Sequence, residues 1–158
     1  MDHDAETEKT TLSETKKSIA DAFALFDKQQ RGVVDVREIP TIVRHLGVCP
    51  TEVELRDMIT EIEDEESTVA IRYERFEKLM TRVLLENQYP RDSEDKLLAA
   101  FQTLDPENLG HVDAEKLKEL LTSHGERFSS EEMGEFIQFA AGADGRIHYH
   151  EYISGVLD

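Results

Sequence analysis

The sequence predicts an all-α fold of four helix–loop–helix units, paired into two lobes with a short two-stranded contact in each. Three observations predict it. A turn followed by one β-type residue and a new helix start recurs four times, at DKQQRGVVDVREI (27–39), DEESTVAIRYERF (64–76), DPENLGHVDAEKL (105–117) and AAGADGRIHYHEY (140–152). Apolar residues at helical spacing flank every turn on both sides. The segment 86–94, ENQYPRDSE, breaks that periodicity around Pro90 and reads as a link.

The register of the repeat is regular. Gly32, Gly110 and Gly145 share one turn position, where the second unit carries Val69. Two residues later stand Val34, Ile71, Val112 and Ile147, spaced 37, 41 and 35 residues apart. A repeated supersecondary unit leaves its apolar face wet unless neighbours stack, so pairing is required. Pairing Val34 with Ile71 and Val112 with Ile147 gives one strand contact per lobe.

Helix periodicity supplies eight segments. Ile19, Phe23 and Phe26 fall at i, i+4 and i+7 before the first turn, with Thr11 and Glu14 as an expected capping box. Ile39, Ile42, Val43 and Leu46 follow it, and Gly47 ends that helix as a C-cap. Thr51 and Glu54 form a second expected capping box, ahead of Leu55, Met58, Ile59 and Ile62. Phe76, Leu79, Met80 and Val83 close the first half. The second half repeats this with Leu97, Phe101 and Leu104; Leu117, Leu120 and Leu121; Met133, Phe136 and Ile137; and Tyr152, Ile153 and Val156. The expected layout is a disordered acidic tail at 1–10, a first pair at 11–86, a linker at 87–94 and a second pair at 95–158.

Composition narrows the function classes. The chain has 158 residues, 39% hydrophobic and 34% charged, with 18 basic against 35 acidic side chains for a net charge of −17. The excess is −8 over residues 1–87 and −9 over 88–158, so it is spread through both halves. Such a surface repels nucleic acid and anionic membrane and attracts cations or basic peptides. Cys49 is the single cysteine, which excludes an intramolecular disulfide and suits a reducing compartment. No apolar run reaches the roughly 18 residues of a membrane span, and Met1–Thr11 has no signal-peptide character. No homo-oligomer is expected.

The four turns have the length of a calcium loop. Twelve residues place oxygen ligands at positions 1, 3, 5, 7 (through the backbone), 9 and 12, with glycine at 6 and a bidentate glutamate at 12. The first loop offers Asp27, Gln29, Val33 (backbone), Asp35 and Glu38, but Arg31 at position 5 is donor-only and cannot ligate. These five are the candidate metal ligands; the plainer reading is that Asp35 and Glu38 cap the next helix. The second loop has Asp64 and Glu66 but Val69 for glycine and Arg75 for glutamate. The third has Asp105, Glu107, Gly110 and Asp113, then Lys116 at position 12. An ammonium 4 Å from a divalent ion costs about 8 kcal/mol at an effective dielectric of ~20. The fourth keeps Asp144, Gly145 and Glu151, with Ala140 and Gly142 at positions 1 and 3. Calcium is not required, and weak binding at the first loop is the one metal expectation.

Other chemistry has little support. His148 and His150, two apart, point to different faces if helical, and a metal pair there is improbable. No phosphate loop, nucleophile elbow or Ser/His/Asp order is present. The acids of 61–66 read as a solvated helix end, and Cys49 has no neighbouring base. An enzyme is not expected. The large apolar side chains have two readings. Closed, Phe23, Phe26, Leu46, Met58, Ile59, Phe76 and Met80 fill the first lobe, and Phe101, Leu121, Met133, Phe136 and Ile137 the second. Opened, part of the same set forms a groove for an amphipathic helix. Four methionines are few for a promiscuous binder and favour one dedicated partner.

The segment VREIPTIVRHLGVCPTEVELRDMI (36–59) closely resembles the link between successive hands of calmodulin, and the register covers the chain after its tail. The chain thereby resembles the calmodulin-like EF-hand superfamily. More narrowly, VDVREIPTIVRHLGVCPTEVEL (34–55), IRYERFEKLMT (71–81) and FSSEEM (128–133) are similar to the small EF-hand subunit (subunit eight) of the nexin–dynein regulatory complex. Arg75 at position 12 of the second loop fits that branch. The resemblance implies a non-catalytic, light-chain-like subunit of the axoneme of cilia and flagella, within the cytoskeleton. Its expected partners are a basic amphipathic helix of a larger axonemal protein and other subunits of the complex, with little dependence on calcium. The alternative is a calcium sensor acting through the first loop. The branch is described as calcium-binding, and the ligand count departs from that description.

Overall fold

In the computed structural model, which describes residues 2–67 and 69–157, eight helices and four short strands are arranged as two separate units. The first runs Met1–Arg91 and the second Asp92–Asp158. Each unit is a pair of helix–loop–helix hands joined by one antiparallel two-stranded sheet.

In the first unit the order is α1 (Asp2–Ala24), β1 (Val33–Asp35), a 3₁₀ turn (Val36–Glu38), α2 (Ile39–His45), α3 (Glu52–Ile62), β2 (Ala70–Arg72) and α4 (Tyr73–Leu85). The strands pair in the expected register, Val34 opposite Ile71. Both are buried, because alternation along a strand turns the middle residue of each triplet to the core. Helix α1 packs along α4. Phe23 meets the edge of Tyr73 at 5.2 Å and lies 5.5 Å from Phe76. Around them Ile19, Ile39, Ile42, Val43, Ile71, Met80 and Val83 are at most 1% exposed. Each such side chain contributes roughly 1.5–3 kcal/mol on burial, so the core is continuous and tight.

The local signals fall where the sequence placed them, with two exceptions. Thr51 Oγ1 accepts from Glu54 N while Glu54 Oε2 accepts from Thr51 N, the full capping box. Gly47 has φ +80°, the left-handed C-cap conformation that glycine adopts without penalty. The first exception is the start of α1. No capping box forms at Thr11, whose hydroxyl donates to Thr7 O inside a helix already running from Asp2. Residues 4–10, expected as a tail, are helical and exposed; Met1 lies outside the described residues. The stretch has no Gly or Pro to stop the helix, and polarity alone does not end one. The second exception is Tyr89, in the expected linker. It packs on the first core and its carbonyl accepts from Cys49 N, so the first unit extends to Arg91.

The second unit has α5 (Glu94–Leu104), β3 (His111–Asp113), α6 (Ala114–Ser123), α7 (Ser130–Ala140), β4 (Arg146–His148) and α8 (Tyr149–Leu157). Val112 pairs with Ile147, again the expected register. Phe101 stacks on Tyr149 at 5.4 Å and meets Tyr152 edge-on at 5.8 Å. Val112, Ala114, Leu117, Ile147, Tyr149 and Ile153 complete this core. Leu97, Leu98, Leu121, Phe136, Ile137 and Tyr152 are only partly covered. Among the described residues no helix is long and apolar enough to cross a membrane.

Candidate functional site

The candidate site is the set of four loops, three of which keep the turn glycine of a calcium loop. Gly32, Gly110 and Gly145 have φ +71°, +81° and +72°, the conformation the turn demands at position 6. In the second loop Asp64 and Ser67 form an isolated bridge, and Val69 O accepts from Val36 N as Gly32 O accepts from Tyr73 N.

In the first loop Asp27 accepts from Arg31 N at 3.0 Å and Gly32 N at 2.7 Å. Asp35 is engaged elsewhere. Its carboxylate accepts from Arg37 N, Nε and Nη2 at 2.8, 3.0 and 2.9 Å, a two-pronged guanidinium contact plus a helix-start cap. That contact holds the Asp35 carboxyl down at about 2. Asp27, Gln29, Val33 and Asp35 line one cavity of about 230 Å³ with Arg31; Glu38 is not among its lining residues. Glu38 makes no side-chain cap bond either, and α2 starts beside Pro40, whose missing N–H suits a first turn. Of the two acids read as caps, Asp35 caps and Glu38 does not.

The second loop carries its own cations. Arg72 Nε lies 3.2 Å and Arg75 Nη2 3.8 Å from the Asp64 carboxylate, and Arg75 Nη1 donates to Glu63 O at 2.7 Å. Arg75, at the position of the bidentate glutamate, thus brings positive charge to position 1. Thr68, at position 5 of this loop, lies outside the described residues.

The third loop satisfies its first acid by hydrogen bonds. Asp105 is 6% exposed and accepts from Leu109 N and Gly110 N, both at 2.9 Å, and from the Tyr149 hydroxyl at 2.7 Å. The amide of Leu109, then the tyrosine and Gly110, hold the Asp105 carboxyl below its ordinary value. The same bond raises Tyr149. Asp105, Glu107, Leu109, His111, Asp113 and Lys116, the residues at all six coordinating positions, line one cavity of about 430 Å³. Leu104, Leu117 and Leu120 make its apolar wall.

In the fourth loop His148 Nε2 lies 2.9 Å from Asp144 Oδ2, and Asp144 Oδ1 accepts from Arg146 N. These contacts, His148 first, lower the Asp144 carboxyl. His148 is on strand β4, not on a helix, and sits opposite His111 with ring centroids 5.6 Å apart. Sequence reading weighed His148 against His150 and set that pair aside; the cross-strand partner lay 37 residues away and followed from the Val112–Ile147 register already in hand. Among the described residues, no group of three or more His, Cys, Asp or Glu side chains is placed to hold a metal ion.

The residues expected to serve either as core or as groove divide between the units. In the first, Phe23, Met58, Phe76 and Met80 are 3, 3, 0 and 0% exposed, and Phe26, Leu46 and Ile59 are partly buried against them. In the second, Met133 is 1% and Phe101 9% exposed, with Leu121, Phe136 and Ile137 partly buried. Leu104, Leu109 and Leu120, 45, 59 and 42% exposed around the third loop, were not in that set. Their signal was Leu109, an aliphatic residue where a ligand belongs.

The chain is 46% identical over 154 residues to dynein regulatory complex protein 8 of Mus musculus, spanning 97% of this chain and 94% of that protein. It is 33% identical over 141 residues to the protein of the same name in Chlamydomonas reinhardtii, covering 85% of each. Among solved structures it is similar to Mlc1p bound to IQ2 of Myo2p, a class V myosin. There the TM-score is 0.69 at 25% identity, over 87% of this chain and 96% of that one. No family model matches the chain.

Proposed function

Because the chain belongs to the family of dynein regulatory complex protein 8, a family of regulatory EF-hand subunits, we propose that it is a non-catalytic subunit of that complex in the ciliary or flagellar axoneme. In this reading it holds a basic amphipathic helix of a larger axonemal protein, contributes to control of motility, and does so largely without calcium. The observation that carries the calcium-independent part is that an acid in every loop is already engaged from within the chain. Asp35 meets Arg37, Asp64 meets Arg72 and Arg75, Asp105 meets Tyr149, and Asp144 meets His148. An ion entering one of these loops competes with that partner for the acid it engages. The likeness to Mlc1p bound to IQ2 of Myo2p supports the holding role, and the net charge of −17 supports a basic partner.

A second reading keeps the first loop as a calcium sensor, favoured by Asp27, Gln29, Val33 and Asp35 lining one cavity. Two measurements separate the readings. Affinity capture from ciliated cells, with and without chelator, retains the same axonemal partner under both conditions if association is calcium-independent. Calorimetric titration with calcium gives no heat in the parental chain at micromolar levels. Heat that disappears in Glu38→Gln sinks the first reading and establishes the second.

A further inference from the structure

We propose that the apolar wall beside the third loop is where this chain takes hold of a basic amphipathic helix, and that the second unit supplies the grip; this rests on the helix-holding role above. The first unit has little to offer without unfolding its own core. Its Phe76, Met80 and Met58 are at most 3% exposed, so presenting them means opening a packed hand. Its exposed apolar residues, Leu12, Leu25, Val53, Val69 and Leu85, come from α1, from just past its end, from α3, from the second loop and from the end of α4.

In the second unit Phe128 and Phe139 are exposed outside the third loop, but three leucines are gathered beside it. Leu104 at the end of α5, Leu109 in the loop and Leu120 on α6 are 42–59% exposed and line the same cavity of about 430 Å³. Leu117 backs it at 5% exposure. The volume lies in the range that takes large side chains of a ligand. Carboxylates of Asp105, Glu107 and Asp113 border it, with Lys116 and Arg146. An aliphatic or aromatic residue of the partner enters the leucine wall, and cationic residues a turn away on the same helix face the acids.

Charge selects that occupant. Residues 92–158 carry 15 acidic and 5 basic side chains, a balance of −10, against −7 for residues 1–91. The second unit is thus more negative on fewer residues. A second copy of the chain would bring the same sign, and so would the exposed start of α1, where Asp4, Glu6 and Glu8 face a lone Lys9.

The test uses the full chain and a model peptide of about 18 residues, built of Leu and Lys with leucines at helical spacing. Calorimetric titration is run on the parental chain, on Leu109→Glu/Leu120→Glu, and on the matched control Leu25→Glu/Val53→Glu. All four positions are exposed, and circular dichroism checks that each variant keeps its fold. The expected result is binding by the parental chain that weakens at least tenfold in the first variant and less than threefold in the control. Each variant adds the same negative charge, which by itself favours the basic peptide, so the loss reports the leucine wall. Equal binding by all three proteins overturns the assignment of the surface while leaving helix holding intact. A parental chain that does not bind the peptide overturns the surface as a basic-helix site, whereas capture of an axonemal partner tests the role separately. Light scattering that shows a dimer dissolved by Leu109→Glu/Leu120→Glu names a second copy as occupant and also overturns it.

Discussion

Met80 is the residue for which burial and groove membership make opposite predictions. It is fully buried on α4, in the core with Phe76 and Val83. Met80→Ala removes its thioether chain and leaves a cavity that neighbours fill only in part, a loss of about 2–5 kcal/mol. A domain of this size has roughly 5–15 kcal/mol in total, and each kcal/mol shifts the melting temperature of a 60–100-residue domain by about 4–8 °C. The first unit, Met1–Arg91, is of that size, so its transition falls by at least about 8 °C. Calorimetric melting of the whole chain reads this, and the transition of the second unit stays in place. Below the new transition, affinity for the Leu–Lys peptide remains within threefold. A variant whose melting moves by less than about 2 °C, yet which binds the peptide ten times more weakly, refutes the reasoning. Met80 would then be part of an open groove.

Three further outcomes are expected. Asp35 titrates near 2 because of Arg37; the depressed value means its contribution is full above the ordinary carboxylate range and lost as pH falls from about 4 to about 2. Carboxyl NMR on Arg37→Gln should return the midpoint toward 4, and an unmoved midpoint removes the guanidinium as its cause. Leu109→Asp/Lys116→Glu gives the third loop oxygen ligands at 1, 3, 5, 9 and 12 around Gly110, and terbium luminescence should report calcium-competed binding with Kd of about 10⁻⁵–10⁻³ M. No binding at millimolar calcium would show that the Tyr149 bond, not the ligand set, blocks the loop. Thr51→Ala should destabilise the first unit by about 0.5–2 kcal/mol through loss of the capping box, measured by urea unfolding; a change in the second unit instead would contradict the division at Arg91.

The fold was legible because its signals are local or periodic. The β residues two past each turn glycine gave both sheet registers, and Thr51-x-x-Glu54 gave a cap that forms as written. What was not legible depends on contacts that cross the chain. Arg75 reads in sequence as a missing ligand, and only the fold turns its guanidinium toward Asp64. Tyr149 passes unremarked in the fourth repeat, and its hydroxyl finds Asp105 through the pairing of the two hands. His148 was weighed only against His150, whereas the strand register sets it against His111. The start of α1 escaped for the opposite reason. Residues 4–10 are exposed and leave no apolar period, so only the absence of a breaker pointed to helix.

The guanidinium beside Asp64 bears on how such a subunit responds in time. A bound ion stabilises by mass action, its contribution rising and falling with free concentration as RT ln(1 + [L]/Kd). Arg72 and Arg75 are tethered to the loop they neutralise, so their local concentration has no dependence on the surrounding fluid. In the proposed role, the second loop keeps the same charge balance through every calcium transient of a beating axoneme. The remaining handles on it are salt, which screens exposed charges, and pH. A hand wired in this way behaves as a fixed joint, the same at every calcium level.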